Sequence, residues 1–263
     1  MANITISMIQ ADLILENKEA NLIDFENKIK KLSGKSHIVI LPEMFNTGFS
    51  MNSQLLGEKM DGQTVSWMKR ICIENRIILT GSLIIEEDES FYNRMIWMMP
   101  NGQLGYYNKR HLFGFAGEDK HFCGGSQRMI TSVNGWRFNL QVCYDLRFPV
   151  WSRQQIRENN EPEFDVLIYV ANWPEQRAHA WRSLLTARAI ENQCYVFGVN
   201  RIGQDGNNLT YAGDSLAIDP LGQTLNEPCN SENIFTIELK SEFINEIRTK
   251  FPFIKDADSF SII

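Results

Sequence analysis

Two kinds of connection between short apolar runs occur along this chain, and together they dictate a mixed β-sheet. Residues 5–10 and 37–41 read as strands. Between them Leu22, Phe25, Ile29 and Leu32 recur at helical spacing until Ser33-Gly34 stops the run. A second helical stretch, 63–75, leads to a strand-like run at 77–85. A helix between two strands suits a parallel crossover. The pattern then changes. Residues 91–99 and 103–108 flank Asn101-Gly102, and residues 129–133 and 136–142 flank Asn134-Gly135. Asn-Gly between two such runs signals a two-residue hairpin turn, because both turn positions need positive φ. Residues 113–125, rich in glycine and charge, read as a loop. Strand-like residues 164–171 precede a helical pattern at 178–193 that lacks Gly and Pro. Strands are expected again at 195–200, 215–218 and 234–239. Crossovers and hairpins in one chain mean an α/β fold with helices covering a mixed sheet. Roughly ten strands or more is a lot for one open sheet, so two packed sheets are expected.

No repeat, low-complexity linker or composition break divides the 263 residues, so one domain, 1–263, is expected, its tail at about 250–263 extended or contacting a partner copy. A chain of this length buries a large core without staples. The net charge of −6 and pI near 5.4, with no long basic run, argue against a nucleic-acid or anionic-membrane partner. No apolar stretch approaches the ~20 residues that span a bilayer. The N-terminus has no basic segment followed by an apolar one, so no secretory signal is expected. Five widely spaced cysteines without a C-x-x-C form neither a disulfide framework nor a zinc ribbon, and no metal is expected. The setting implied is reduced and cytoplasmic, where a free thiol survives.

Glu43, Lys109 and Cys143 each fall just past the downstream end of a predicted strand, which is where sites assemble in α/β architectures. A free thiol, with pKa near ~8.5, is mostly protonated at neutral pH. A nearby carboxylate can take its proton during attack on a carbonyl. A lysine ammonium and a backbone N–H, such as that of Tyr144, can hold the oxyanion that forms. Each residue also has a plainer reading. Cys143 could be a small core hydrophobe, Glu43 an exposed loop carboxylate and Lys109 part of a solvated turn.

The blocks around these positions, Leu41-Pro-Glu-Met-Phe45, Tyr107-Asn-Lys-Arg-His-Leu-Phe113 and Gln141-Val-Cys-Tyr-Asp-Leu-Arg-Phe-Pro149, resemble the nitrilase superfamily of carbon–nitrogen hydrolases. Tyr169-Val-Ala-Asn-Trp-Pro174, Ala187-Arg-Ala-Ile-Glu-Asn192 and Gly213-Asp-Ser215 extend the match over nearly the whole chain. The resemblance implies a four-layer α-β-β-α sandwich of two mixed sheets with outer helices. It implies Glu43 as base, Lys109 as oxyanion lysine and Cys143 as nucleophile, with Glu118 as a second glutamate that orients Lys109 or a water. It also implies no cofactor, and a homodimer. Within the superfamily the chain looks most like the omega-amidase branch, which acts on 2-oxoglutaramate and 2-oxosuccinamate. Such a substrate carries a carboxylate, for which Arg147 and Arg177 are the candidate partners. Arg147 has an alternative as a structural brace to Asp145 or another acid. Trp173, Phe45 and Tyr144 are candidate pocket walls. Another amide, an N-carbamoyl amine or a nitrile on the same triad is the alternative substrate. A non-catalytic binding protein is the alternative function.

Overall fold

The computed structural model describes residues 1–157 and 161–262. In chain order its strands are β1 (Ile4–Gln10), β2 (Ile38–Ile40), β3 (Ile78–Glu87), β4 (Ser90–Met98), β5 (Leu104–Asn108), β6 (Met129–Val133) and β7 (Trp136–Val142). Then come β8 (Val166–Ala171), β9 (Tyr195–Asn200), β10 (Ile202–Gln204), β11 (Thr210–Ala212), β12 (Leu216–Ile218) and β13 (Asn233–Leu239). The helices are α1 (Lys18–Lys30), α2 (Ser53–Leu56), α3 (Gln63–Asn75), α4 (Pro149–Ser152), α5 (Ala178–Asn192) and α6 (Ser241–Lys250).

Two sheets form. One is ordered β13-β1-β2-β3-β4-β5, the other β12-β9-β8-β7-β6. Each is mixed: β1-β2-β3 and β7-β8-β9 run parallel, and the outer strands pair antiparallel. The period-2 alternation of strand side chains decides how they stack. Ile38 and Ile40 face the second sheet, while Val39 and Leu41 face Phe25 and Ile29 of α1 and Met68 and Ile71 of α3. Likewise Val166, Ile168 and Val170 face the first sheet, while Leu167, Tyr169 and Ala171 face Trp181, Leu185 and Ala189 of α5. The layers are therefore helices, sheet, sheet, helix. Strands buried on both faces carry no polar face, which is why they read as unbroken apolar runs. Among the described residues no helix is long and apolar enough to cross a membrane.

Three connections differ from the sequence expectation. The β4–β5 hairpin closes its ladder at Met98–Leu104, so its connection is longer than two residues. The Met99 N–H still donates to the Gln103 carbonyl (2.9 Å), the Gly102 N–H turns back to the Met99 carbonyl (2.9 Å), and the Gln103 N–H donates to the Asn101 side chain (3.0 Å). A tight hairpin joins β3 to β4 through Asp88 and Glu89, at φ 50° and 61°. It went unseen because neither residue is the Asn or Gly that normally marks two successive positive φ values. The β10–β11 hairpin and α6 were also unpredicted. By contrast, Asn134 and Gly135 (φ 51° and 84°) turn β6 into β7 as expected. After α6, Phe253–Asp256 make one 3-10 turn, and residues 257–262 have no regular structure. Ile254 is buried, and the Phe260 carbonyl accepts from Gln155 (3.3 Å), so the tail touches its own chain at these points while most of its residues are exposed. Residue 263 of that expected tail lies outside the described residues.

Candidate active site

Glu43 and Lys109 leave the first sheet, and Cys143 leaves the second. The Leu41 N–H still donates to the Thr80 carbonyl (2.8 Å), and Pro42 then ends the ladder. Met44 turns the chain at φ 45°, its N–H donating to Ser82 Oγ (2.9 Å). Glu43 is thereby directed inward and is fully buried rather than a loop carboxylate at the surface. Lys109 follows β5, its N–H donating to the Asn93 carbonyl of β4 (2.9 Å). Cys143 follows β7 and begins a short 3-10 turn, Cys143–Arg147. Its φ is 44°, a region that costs a non-glycine residue roughly 1 kcal/mol or more. The strained turn exposes part of the thiol to the cavity described below.

Sequence spacing placed Glu118 in a loop. Tertiary structure buries it completely. Lys109 Nζ donates to Glu43 Oε1 (2.9 Å) and to Glu118 Oε1 and Oε2 (2.9 and 2.8 Å). Asn93 Nδ2 bridges the two carboxylates, donating to Glu43 Oε1 (2.8 Å) and Glu118 Oε1 (3.1 Å). The Phe113 N–H donates to Glu118 Oε2 (2.6 Å), and the Asn172 N–H to Glu43 Oε2 (2.8 Å). The Asn172 side chain donates to the Glu43 carbonyl (2.7 Å). Sequence reasoning missed Asn93 and Asn172. Asn172 did offer a signal, since it follows a strand end as the reactive residues do.

Burial alone would lower the pKa of Lys109, but the charges of Glu118 and Glu43 overcome it and hold the ammonium firmly charged. Burial pushes the Glu118 carboxyl up against the pull of Lys109, and Glu43 adds to the rise. The Cys143 thiol is also raised well above its usual value, by burial first and then by the Glu43 charge, with Lys109 opposing. The thiol proton is thus held more firmly than that of a free cysteine.

Cys143 and Lys109 line a cavity of about 440 Å³. Tyr144, Arg147, Trp173 and Arg177 line it too, so four of the five expected binding residues meet there. Phe45 does not. Its ring is fully buried against Phe25 and Trp67 (5.6 and 5.9 Å between centroids) in the core under α1 and α3. Phe49, in the loop that follows, stands in that wall instead, 5.6 Å from Lys109 Nζ. The Arg147 guanidinium lies over Trp173 (4.9 Å), and that of Arg177 over Phe113 (5.3 Å). The proposed Arg147–Asp145 brace does not form, because Asp145 is bound by Tyr107, His111 and Val142. Among the described residues neither arginine has an ion-pair partner. Nor is there a cluster of three or more His, Cys, Asp or Glu suited to a metal ion.

A profile of the carbon–nitrogen hydrolase family matches residues 5–249. The omega-amidase YafV of Escherichia coli K12 is 38% identical over 263 residues, covering all of both chains. The 2-oxoglutaramate amidase of Bacillus subtilis is 33% identical, covering 96% of each. The crystal structure of XC1258 from Xanthomonas campestris, a CN-hydrolase superfamily protein with an arsenic adduct in its active site, superposes with a TM-score of 0.98 at 41% identity over the full length of both. Family profile, full-length relatives and fold agree: this chain belongs to the carbon–nitrogen hydrolase family.

Proposed function

We propose that this protein is an omega-amidase. It hydrolyses the terminal amide of a small omega-amido dicarboxylate, 2-oxoglutaramate or 2-oxosuccinamate, to the acid and ammonia. The observation that carries this reading is a thiol beside a buried Glu43–Lys109–Glu118 cluster, in a cavity that also presents two arginines without acid partners. Full-length similarity to relatives named omega-amidase and 2-oxoglutaramate amidase supports the substrate class.

Glu43 takes the thiol proton as the Cys143 sulfur attacks the amide carbon. Lys109 and the Tyr144 N–H hold the resulting oxyanion. That N–H lies in the first turn of a short helix, where N–H groups have no partner within the turn. The tetrahedral intermediate collapses, the C–N bond breaks, and Glu43 returns the proton to the departing ammonia. A thioester remains on Cys143. Glu43 then removes a proton from an attacking water, and the acid leaves as the thiol is restored. Glu118 orients Lys109 throughout. Arg147 and Arg177 receive the substrate carboxylate, and Trp173 walls the pocket by carrying one of them. No cofactor enters any step. We propose further that the chain works as one domain, as a homodimer, in the reducing cytoplasm, where its five unpaired cysteines stay reduced.

The test is ammonia release from 2-oxoglutaramate, glutamine, succinamate and a small nitrile, with mass spectrometry of trapped enzyme. A preference for the 2-oxo acid amides and an acyl adduct on Cys143 are expected. Wild-type turnover by Cys143→Ala, or an adduct elsewhere, would refute the mechanism.

A further inference from the structure

The sequence offered Asp145 only as a partner for Arg147. Its actual partners sit on either side of the two reactive residues. Tyr107 and His111 flank Lys109, two residues before and two after it. Val142 immediately precedes Cys143, and Asp145 follows it by two. Asp145 Oδ2 accepts from Tyr107 Oη (2.7 Å) and the Val142 N–H (3.0 Å). Asp145 Oδ1 accepts from the His111 N–H (3.0 Å) and shares a hydrogen bond with His111 Nδ1 (2.8 Å). We propose that Asp145 is the positioning residue that sets Lys109 against the Cys143 sulfur. This rests on the roles assigned above to those two residues.

Three features support it. First, Asp145 is fully buried and accepts from three fixed donors, the Tyr107 hydroxyl and the Val142 and His111 N–H groups, at the centre of the joint. Second, the polarity of the Tyr107 bond has no alternative. Tyr107 Oη accepts from Trp151 Nε1 (2.9 Å) and from the Arg110 N–H (3.2 Å), which occupies both lone pairs and leaves its proton for Asp145. Third, the histidine is held in place. Its ring stacks on Phe148 at 3.8 Å, inclined by 9°, and Phe148 follows the nucleophile's own turn. The joint therefore spans the two sheets. Lys109 arrives from β5 of one sheet and Cys143 from β7 of the other, and no strand pairing fixes their separation. One carboxylate that grips both flanks of the lysine and the backbone before the cysteine supplies that registration. It touches neither substrate nor reacting atoms.

The joint should govern kcat rather than substrate capture or the thiol itself. Displacement of a reacting group by about 1 Å costs on the order of 10²-fold in rate. Asp145→Asn places an NH₂ against donors on one side or the other, and a fall of that size in kcat is expected. Tyr107→Phe removes the bond to Asp145 and those from Trp151 Nε1 and the Arg110 N–H but leaves the carboxylate itself in place, and a roughly tenfold fall is expected. In both, KM should stay within about twofold, and alkylation of Cys143 by iodoacetamide should slow far less than kcat falls, because only the opposing charge of Lys109 shifts while Glu43 stays in place. Tyr107→Phe carries the test if Asp145→Asn does not fold. The inference is overturned if the folded variants keep wild-type kcat, or if alkylation falls in parallel with kcat, which would locate the damage at the thiol. An active wild type with fully active variants overturns this inference alone. A wild-type protein idle on every amide overturns the functional reading and this one with it.

Discussion

Replacing Glu118 by Gln keeps the side chain's shape and removes one of the two buried negative charges around Lys109. Glu118 Oε1 accepts from Lys109 and Asn93, and Oε2 from Lys109 and the Phe113 N–H. Whichever way a glutamine amide is turned, its NH₂ meets two donors, so half of these bonds are lost. Breaking a buried ion pair costs about 3–5 kcal/mol. Glu43 remains as a counter-ion 2.9 Å from Nζ, which puts the loss near the lower end, about 3 kcal/mol. For a chain of this size that lowers Tm by roughly 6–12 °C. The thiol should respond in the opposite sense to the enzyme. Glu118 is among the charges that hold the Cys143 proton on, so its removal lowers the thiol pKa. Alkylation by iodoacetamide, followed against pH, should show its midpoint shifted to lower pH in Glu118→Gln. Turnover should nevertheless fall on the order of 10²-fold, because Lys109 is no longer held toward the oxyanion. A midpoint that stays put or rises would refute the electrostatic coupling. An unchanged kcat would refute the orienting role.

Further outcomes follow from other parts of the structure. Arg147→Ala with Arg177→Ala should raise KM for 2-oxoglutaramate by about 10–100-fold, the value of a charged hydrogen bond, and spare a neutral amide; equal losses on both substrates would count against the carboxylate subsite. At Gly81 in β3 a Cβ would stand 2.8 Å from the Phe45 ring and 3.0 Å from Leu41 Cβ, so Gly81→Ala should cost about 1–3 kcal/mol of overpacking, seen as a lower urea midpoint at unchanged slope. Glu26 is held down from the usual 4.5 to about 2, by Arg70 first and then Lys30. A depressed carboxylate contributes stability that is complete above pH 4.5 and lost as pH falls toward 2. Because the pair is near the surface and screened, Glu26→Gln should cost only about 1 kcal/mol or less at pH 7. The difference in Tm should vanish near pH 2, and a difference that persists there would contradict the ion-pair account.

Local pattern made much of the fold legible. Helical periodicity located α1, α3 and α5, apolar runs located the central strands, and Asn134-Gly135 marked its turn, because side-chain period and positive φ are properties of neighbouring residues. The Asp88-Glu89 hairpin was hidden, since Glu89 is not a residue that marks a positive φ and its conformation is imposed by the paired strands around it. The family blocks also identified Glu43, Lys109, Cys143 and Glu118 as chemically significant. What only tertiary structure decided is how these residues meet. Glu43 and Lys109 are 66 positions apart, and Asn172 reaches Glu43 across 129. Such pairings depend on which strands adjoin and on how two sheets pack, and a one-dimensional pattern carries neither. The same limit put Phe45 in the pocket when its ring faces the helices, and paired Asp145 with Arg147 when its hydrogen bonds go to the flanks of Lys109. Sequence alone determined which chemical groups were available and near which strand ends. The packing of one sheet on the other decided which of them meet.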